Sequence, residues 1–345
     1  MTRTDERRAK RRRGEQAMVP EARFTSYYGM PVLNRPVWKA LDIAGYLFLG
    51  GLAGGSSLLA AGAHATGRRA LARAAKTGAF GAISLSLAAL VHDLGRPARF
   101  LNMLRVAKPT SPMSVGSWLL ACYGPLAGAA AATEATGRFP RLGALATAGA
   151  AVLGPAVTTY TAVLLSDTAV PSWHEGHREM PFLFAGSGAA AAAGLALICA
   201  PAPPARRMGV LGAAAELGAA RVMKKRMGLA SEPLEKGAAG RLMRASEILT
   251  ATGAVLAALS GAAGSRAMPM TISMAMPRAM PMTISTAMPR AIATAAGAAL
   301  LGGSAALRFG VFHAGVASAQ DPVYTVVPQR ERLEQGRGFS AAAHG

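Results

Sequence analysis

The chain has 345 residues, 52% of them hydrophobic and only 16% charged, with 40 glycines and a formal net charge of +20. Soluble domains carry roughly 25% charged residues, so this balance, with a mean hydropathy of +0.29, weighs against a soluble enzyme or a disordered chain and favours a bundle of membrane helices. Nucleic-acid binding is excluded as well: it needs Lys and Arg gathered on one face with aromatics for stacking, whereas aromatics are 6% here and most basic residues flank apolar runs.

Residues 1–37 begin MTRTDERRAKRRRGEQ. No apolar core and small-residue cleavage site follow at once, so this reads as a retained basic tail and not as a cleaved signal peptide. Eight apolar windows come next, at about 38–63, 74–92, 115–133, 143–165, 181–201, 205–222, 242–263 and 291–312. Each is long enough for a helix to cross a hydrocarbon layer of about 30 Å. The expected fold is therefore an all-α polytopic membrane protein, with eight transmembrane helices bundled over 38–313 and a C-terminal tail over 314–345. Glu216 interrupts the sixth window, and Arg241, Arg244 and Glu247 open the seventh, so a seven-span alternative stays open. With eight spans, more than two thirds of the 37 Lys and Arg residues fall on the side of the N-terminus. That bias puts both termini in the cytoplasm of an inner (plasma) membrane protein.

Gly and Ala dominate the spans, as in GGLAGGSSLLAAGA and FAGSGAAAAAGLAL. Small faces let helix backbones approach closely in lipid, where packing replaces the hydrophobic drive of water. Glu216 and Glu247 stand out, because a carboxylate in lipid is costly and faces protein or a water-filled cavity; interhelix bonding and proton relay both fit them. Between the seventh and eighth windows, RAMPMTISMAMP is followed by RAMPMTISTAMP, a twelve-residue duplication over 266–289. Its four prolines would interrupt a helix, so an extended, low-complexity connection is expected.

Two loops carry more chemistry than a linker needs, and the eight-span reading opens both on one face. The first, VHDLGRPARFLNMLR, sets His92, Asp93, Arg96 and Arg99 just beyond the second span. Asp93 and Arg96 suit a neutralised helix end as well as a site, and Arg99 suits a phosphate anchor at the interface. His92 is either a satisfied buried histidine or a proton acceptor. The second region, TTYTAVLLSDTAVPSWHEGHREMP, carries Tyr160 inside a helix and Asp167, Trp173, His174 and His177 at its exit. Tyr160 is either an interfacial aromatic or a hydroxyl donor to a carbonyl ligand. No two spans show central histidines, so no haem is expected. Two cysteines, Cys122 and Cys199, are too few for an iron–sulfur cluster. No metal site is predicted, the His174/His177 pair reading more simply as a solvated loop than as zinc ligands.

Taken together, YLFLGGLAGGSSLLA, HDLGRPARFLNMLR, KPTSPMSVGSW, YTAVLLSDTAVPSW with MPFLFAGSG, and AALRFGVFHAGVASAQDPVYTVVPQR resemble the NrfD/PsrC-type membrane subunits of polysulfide, nitrite and formate oxidoreductases. The resemblance runs from about Pro31 to Arg332. It implies an eight-helix quinone-reactive anchor with no redox cofactor of its own, binding menaquinone or ubiquinone. Electrons would pass between that quinone and a four-cluster ferredoxin-like iron–sulfur subunit, and on to a molybdopterin or other catalytic subunit. By motif match, Tyr160 takes a quinone head-group role, His92 and Asp93 exchange protons, Arg96 and Arg99 shape the docking face, and Trp173 lines the rim. The chain departs from the family pattern at His92, where an aliphatic residue is common, and in the duplicated segment. Two other functions fit the composition: a proton-coupled transporter or proton-translocating subunit, and a purely structural membrane anchor.

Overall fold

The computed structural model describes residues 31–266 and 287–342 except positions 35, 37 and 97, with side chains to residue 261 and from 290 to 332. Most of the 266–289 duplication lies outside the described residues, as does the tail before residue 31.

Every described element is a helix. The eight long ones coincide with the eight apolar windows: α1 Ala40–Ala65, α2 Arg69–Asp93, α3 Pro112–Thr136, α4 Pro140–Ser166, α5 Met180–Cys199, α6 Pro203–Met227, α7 Gly237–Arg266 and α8 Ala287–Gln320. A ninth helix, α9, spans Val323–Ala342, and three short helices, Ala98–Met103, Pro171–His174 and the 3₁₀ helix Gly228–Leu234, lie in the loops. Seven of the eight are long and apolar enough to cross a membrane. The exception is α6, where Glu216 is the only charge between Arg207 and Arg221 and the other charged residues gather at the two ends. Long basic side chains at such ends reach back to the interface, so α6 belongs to the bundle despite its polar ends. The chain is an integral membrane protein.

Local chemistry explains the boundaries. Proline stands in the first turn of α3, α4, α5 and α6, where its missing N–H has no intrahelical role. Gly137 closes α3 in the left-handed conformation at φ 66°, which a side chain would strain. Inside the spans, hydroxyls bond back to the carbonyl four residues earlier, as Thr147 does to Gly143 at 2.6 Å and Ser166 to Ala162 at 2.8 Å, so these polar groups cost little in lipid.

Alternation of the helices creates two ends. The near end gathers the start of α1 with the 94–111, 167–179 and 228–236 segments and α9; the far end gathers the α1–α2 and α3–α4 turns. Helices α1 and α5 are the most buried, and their glycines make that possible. A Cβ on Gly154 of α4 would lie 2.6 Å from the Gly54 carbonyl oxygen of α1, and one on Gly55 would lie 2.6 Å from the Gly188 oxygen of α5. Between α5 and α8 the same role falls to Gly194, whose Cβ would lie 2.7 Å from the Gly297 oxygen. These are backbone-to-backbone contacts of the kind small residues allow in membranes.

Candidate functional site

At the near end, α1, α2, α3, α4 and the 94–103 segment enclose a cavity of about 210 Å³. Its walls are mostly apolar, including Ile43, Leu47, Leu120 and Leu165, and its polar groups are few: Asp93, Arg99, Ser117 and the phenols of Tyr46 and Tyr160. This is the composition of a small-molecule pocket, in which a handful of polar atoms orient an apolar ligand.

Tyr160 is buried on α4, its ring meeting Tyr46 edge-on at 6.4 Å. The absence of a side chain at Gly116 makes room for that ring, since a Cβ there would lie 2.8 Å from Tyr160 Cδ2. The Tyr160 hydroxyl has no hydrogen-bond partner among the described residues. A buried hydroxyl left unpaired costs about 1–3 kcal/mol, so this one is available to bond a polar atom placed in the cavity. Asp93, the last residue of α2, accepts the Lys39 backbone N–H on Oδ1 at 3.2 Å, which ties the exit of α2 to the start of α1. Arg99 donates through Nη1 to the Leu94 carbonyl at 3.1 Å, folding its side chain over the same opening.

The other site residues expected from sequence lie elsewhere. His92 points outward, with a side chain 69% exposed, and its Nδ1 is 2.8 Å from Asp42 Oδ2. Arg96 is exposed and does not line the cavity. Trp173 is fully buried and sits behind the cavity wall: its indole donates to the Val311 carbonyl at 2.8 Å and stacks on Trp38 at 5.8 Å. Trp38 is the indole that lines the cavity. Sequence reasoning passed over Trp38, Asp42 and Tyr46. The Asp42/Tyr46 pair, four residues apart in an otherwise apolar helix, was the available signal.

Behind this site the exit loop is held down by ions. Glu179 receives Arg226 on both oxygens, at 2.6 and 2.7 Å. The hydrogen bond from that guanidinium keeps the Glu179 carboxyl below its ordinary pKa. His174 and His177 face backbone carbonyls, of Ser166 at 3.2 Å and His174 at 2.9 Å. No three His, Cys, Asp or Glu side chains among the described residues come together as a metal-holding group.

The two intramembrane carboxylates differ. Glu247 is 40% exposed and pairs with Lys224 at 2.6 Å. Glu216 is buried midway along α6, where Oε1 accepts Thr250 at 2.8 Å and Ser246 at 3.3 Å while Oε2 has no partner among the described residues. Near it lies Arg308 of α8, fully buried, donating to the Phe184 carbonyl at 2.9 Å and covering the Phe184 ring at 3.6 Å. Its Nε and Nη1 are unpartnered among the described residues.

The profile of the family described as polysulphide reductase, NrfD matches residues 30–318, nearly the whole bundle. The chain belongs to the polysulphide reductase NrfD family. NrfD proteins are membrane subunits of polysulfide- and quinone-linked reductases, and the family match covers seven of the eight long helices whole, α6 with its polar ends included, and α8 as far as residue 318. The NrfD match also takes in all three near-end loops, so the Tyr160 cavity lies wholly within it. Comparison with curated proteins gives no match.

Proposed function

We propose that the near-end cavity binds the head group of menaquinone or ubiquinone, and that this subunit exchanges electrons between the quinone pool and an iron–sulfur protein docked on the same end, itself joined to a molybdopterin or other catalytic subunit. The observation that carries this reading is the buried Tyr160 hydroxyl, without a partner among the described residues, in a mostly apolar cavity. A quinone offers what that hydroxyl lacks, a carbonyl oxygen on a flat apolar ring.

Oxidation of a quinol releases two electrons and two protons, and quinone reduction takes up the same. The Tyr160 hydroxyl would hold one ring oxygen. Asp93, with Oδ1 engaged by the Lys39 N–H, keeps Oδ2 for the proton of the other. The Asp42–His92 pair stands beside it, and its exposed imidazole would pass protons to water. Such positioned proton transfer contributes about 10²–10⁴-fold in rate.

Tyr160→Phe keeps the ring and removes the hydroxyl. Quinone-linked turnover of the assembled complex is expected to fall at least about tenfold, the worth of one buried hydrogen bond. Assembly and the catalytic subunit's activity with a soluble dye should stay at wild-type levels. Quinone kinetics identical to wild type would defeat the assignment.

One observation favours a second reading, proton-coupled transport: Glu216 lies at mid-depth beside Arg308 with unpaired polar atoms on both. That reading requires solute or ion flux in vesicles containing this chain alone, with no redox partner. A purely structural anchor would instead dock its enzyme and retain no quinone.

A further inference from the structure

We propose that the far end of the bundle holds a site for the phosphate of an anionic phospholipid. The ends of α1, α2, α3 and α4 enclose a second cavity there, of about 560 Å³, away from the quinone site. Its lining carries His64, Arg68, Arg69, Arg73 and Lys76 against a single carboxylate, Glu134.

That carboxylate is already committed. Lys76 Nζ, on a side chain 2% exposed, lies 2.8 Å from Glu134 Oε2 and 3.4 Å from His64 Nδ1. Lys76 and Glu134 thus neutralise each other on the cavity floor. The guanidiniums of Arg68, Arg69 and Arg73 remain in excess around the rim, all on exposed residues and none in an ion pair with a carboxylate among the described residues. Arg138 and Arg141 add to the same end of the bundle. A guanidinium cluster of this kind matches the oxygens of a phosphate.

The neighbouring surface selects a lipid over a soluble anion. On α2, Arg73 lines the cavity, and Phe80, seven residues on and so on the same face of the helix, is 44% exposed. Phe80 stands about 10.5 Å along the axis from Arg73, which carries an apolar surface from head-group level into the hydrocarbon. A ligand with a phosphate in the cavity and acyl chains along this face of α2 uses both features. A zwitterionic head group would bring an ammonium into the arginine cluster, so the net-anionic lipid is preferred.

The test uses the full chain with whatever subunits co-purify, stripped of lipid in detergent and examined by native mass spectrometry. Phosphatidylglycerol, phosphatidylcholine and inorganic phosphate are added separately. Phosphatidylglycerol should be retained in preference to phosphatidylcholine, with inorganic phosphate failing to displace it. The triple variant Arg68→Gln/Arg69→Gln/Arg73→Gln should lose about 100-fold in affinity, while Arg206→Gln/Arg207→Gln, also at the far end, should keep it. Equal retention of both lipids, full displacement by inorganic phosphate, or wild-type affinity in the triple variant would overturn the proposal. So would capture of an acidic protein by this face with no lipid retained.

Discussion

Gly54→Val should prevent accumulation of the folded subunit. The valine Cβ would fall on the Gly154 carbonyl oxygen and the Thr158 hydroxyl of α4, so backbone and not a flexible side chain must yield. Overpacking costs about 1–3 kcal/mol where side chains can adjust. Here α1 has to move away from α4 as a unit, and α1 also contacts α5 through Gly51 and Gly55. The cost belongs at or above the top of that range, a large part of the about 5–15 kcal/mol that holds a domain together. Gly62→Ala and Gly81→Ala are the controls, since a Cβ at either meets nothing within 4 Å. Size-exclusion chromatography of a fluorescent fusion should show a monodisperse peak for both controls and aggregate or no peak for Gly54→Val. A normal peak for the valine variant would mean that α1 and α4 do not cross at Gly54.

Arg308→Ala is expected to destabilise the bundle by about 2–3 kcal/mol, because it removes a hydrogen bond made by a buried charged group and the longer-range attraction between Arg308 and Glu216. Three things go at once: the hydrogen bond to the Phe184 carbonyl, the stacking on the Phe184 ring, and the positive charge facing Glu216. Gly51 lies so close that a Cβ there would be 3.0 Å from Arg308 Nη2, so the void opens against α1 as well. The paired variant Glu216→Gln/Arg308→Met should recover much of the loss, because neither charge is then left alone in a dry interior. Thermal unfolding of the wild type, Glu216→Gln, Arg308→Met and the paired variant measures the coupling. Additive losses would show that Arg308 acts through packing only.

These two sites were unequally visible beforehand. The glycine-rich stretches of α1 and α5 announce close packing by composition alone, though not which glycine meets which. Arg308 was hidden by a boundary. The last apolar window closes at about 312, which puts an arginine at 308 near the membrane surface. The helix in fact continues to Gln320, so Arg308 lies about 18 Å from its end. At the near-end cavity, Tyr160 and Asp93 came through motif resemblance. Asp42 and Tyr46 did not, because what matters about them is that α1 lies against α2 and α4, a tertiary relation that periodicity does not encode. His92 shows the converse: adjacent to Asp93 in sequence, it leaves the helix about 100° away and faces outward. The solvation of α6 was a matter of degree, since its one interior charge is satisfied by hydroxyls from α7.

The indole pair at the near end has an optical consequence. The chain has three tryptophans, and Trp38 and Trp173 are stacked in or behind the cavity wall, while Trp118 is exposed. In a Trp118→Phe background the stacked pair becomes the sole indole emitter, and a quinone ring seated against Trp38 would quench it. Emission would then follow occupancy directly, without turnover, an electron acceptor or a label. The same signal would separate a Tyr160 variant that binds quinone poorly from one that binds it and reacts slowly.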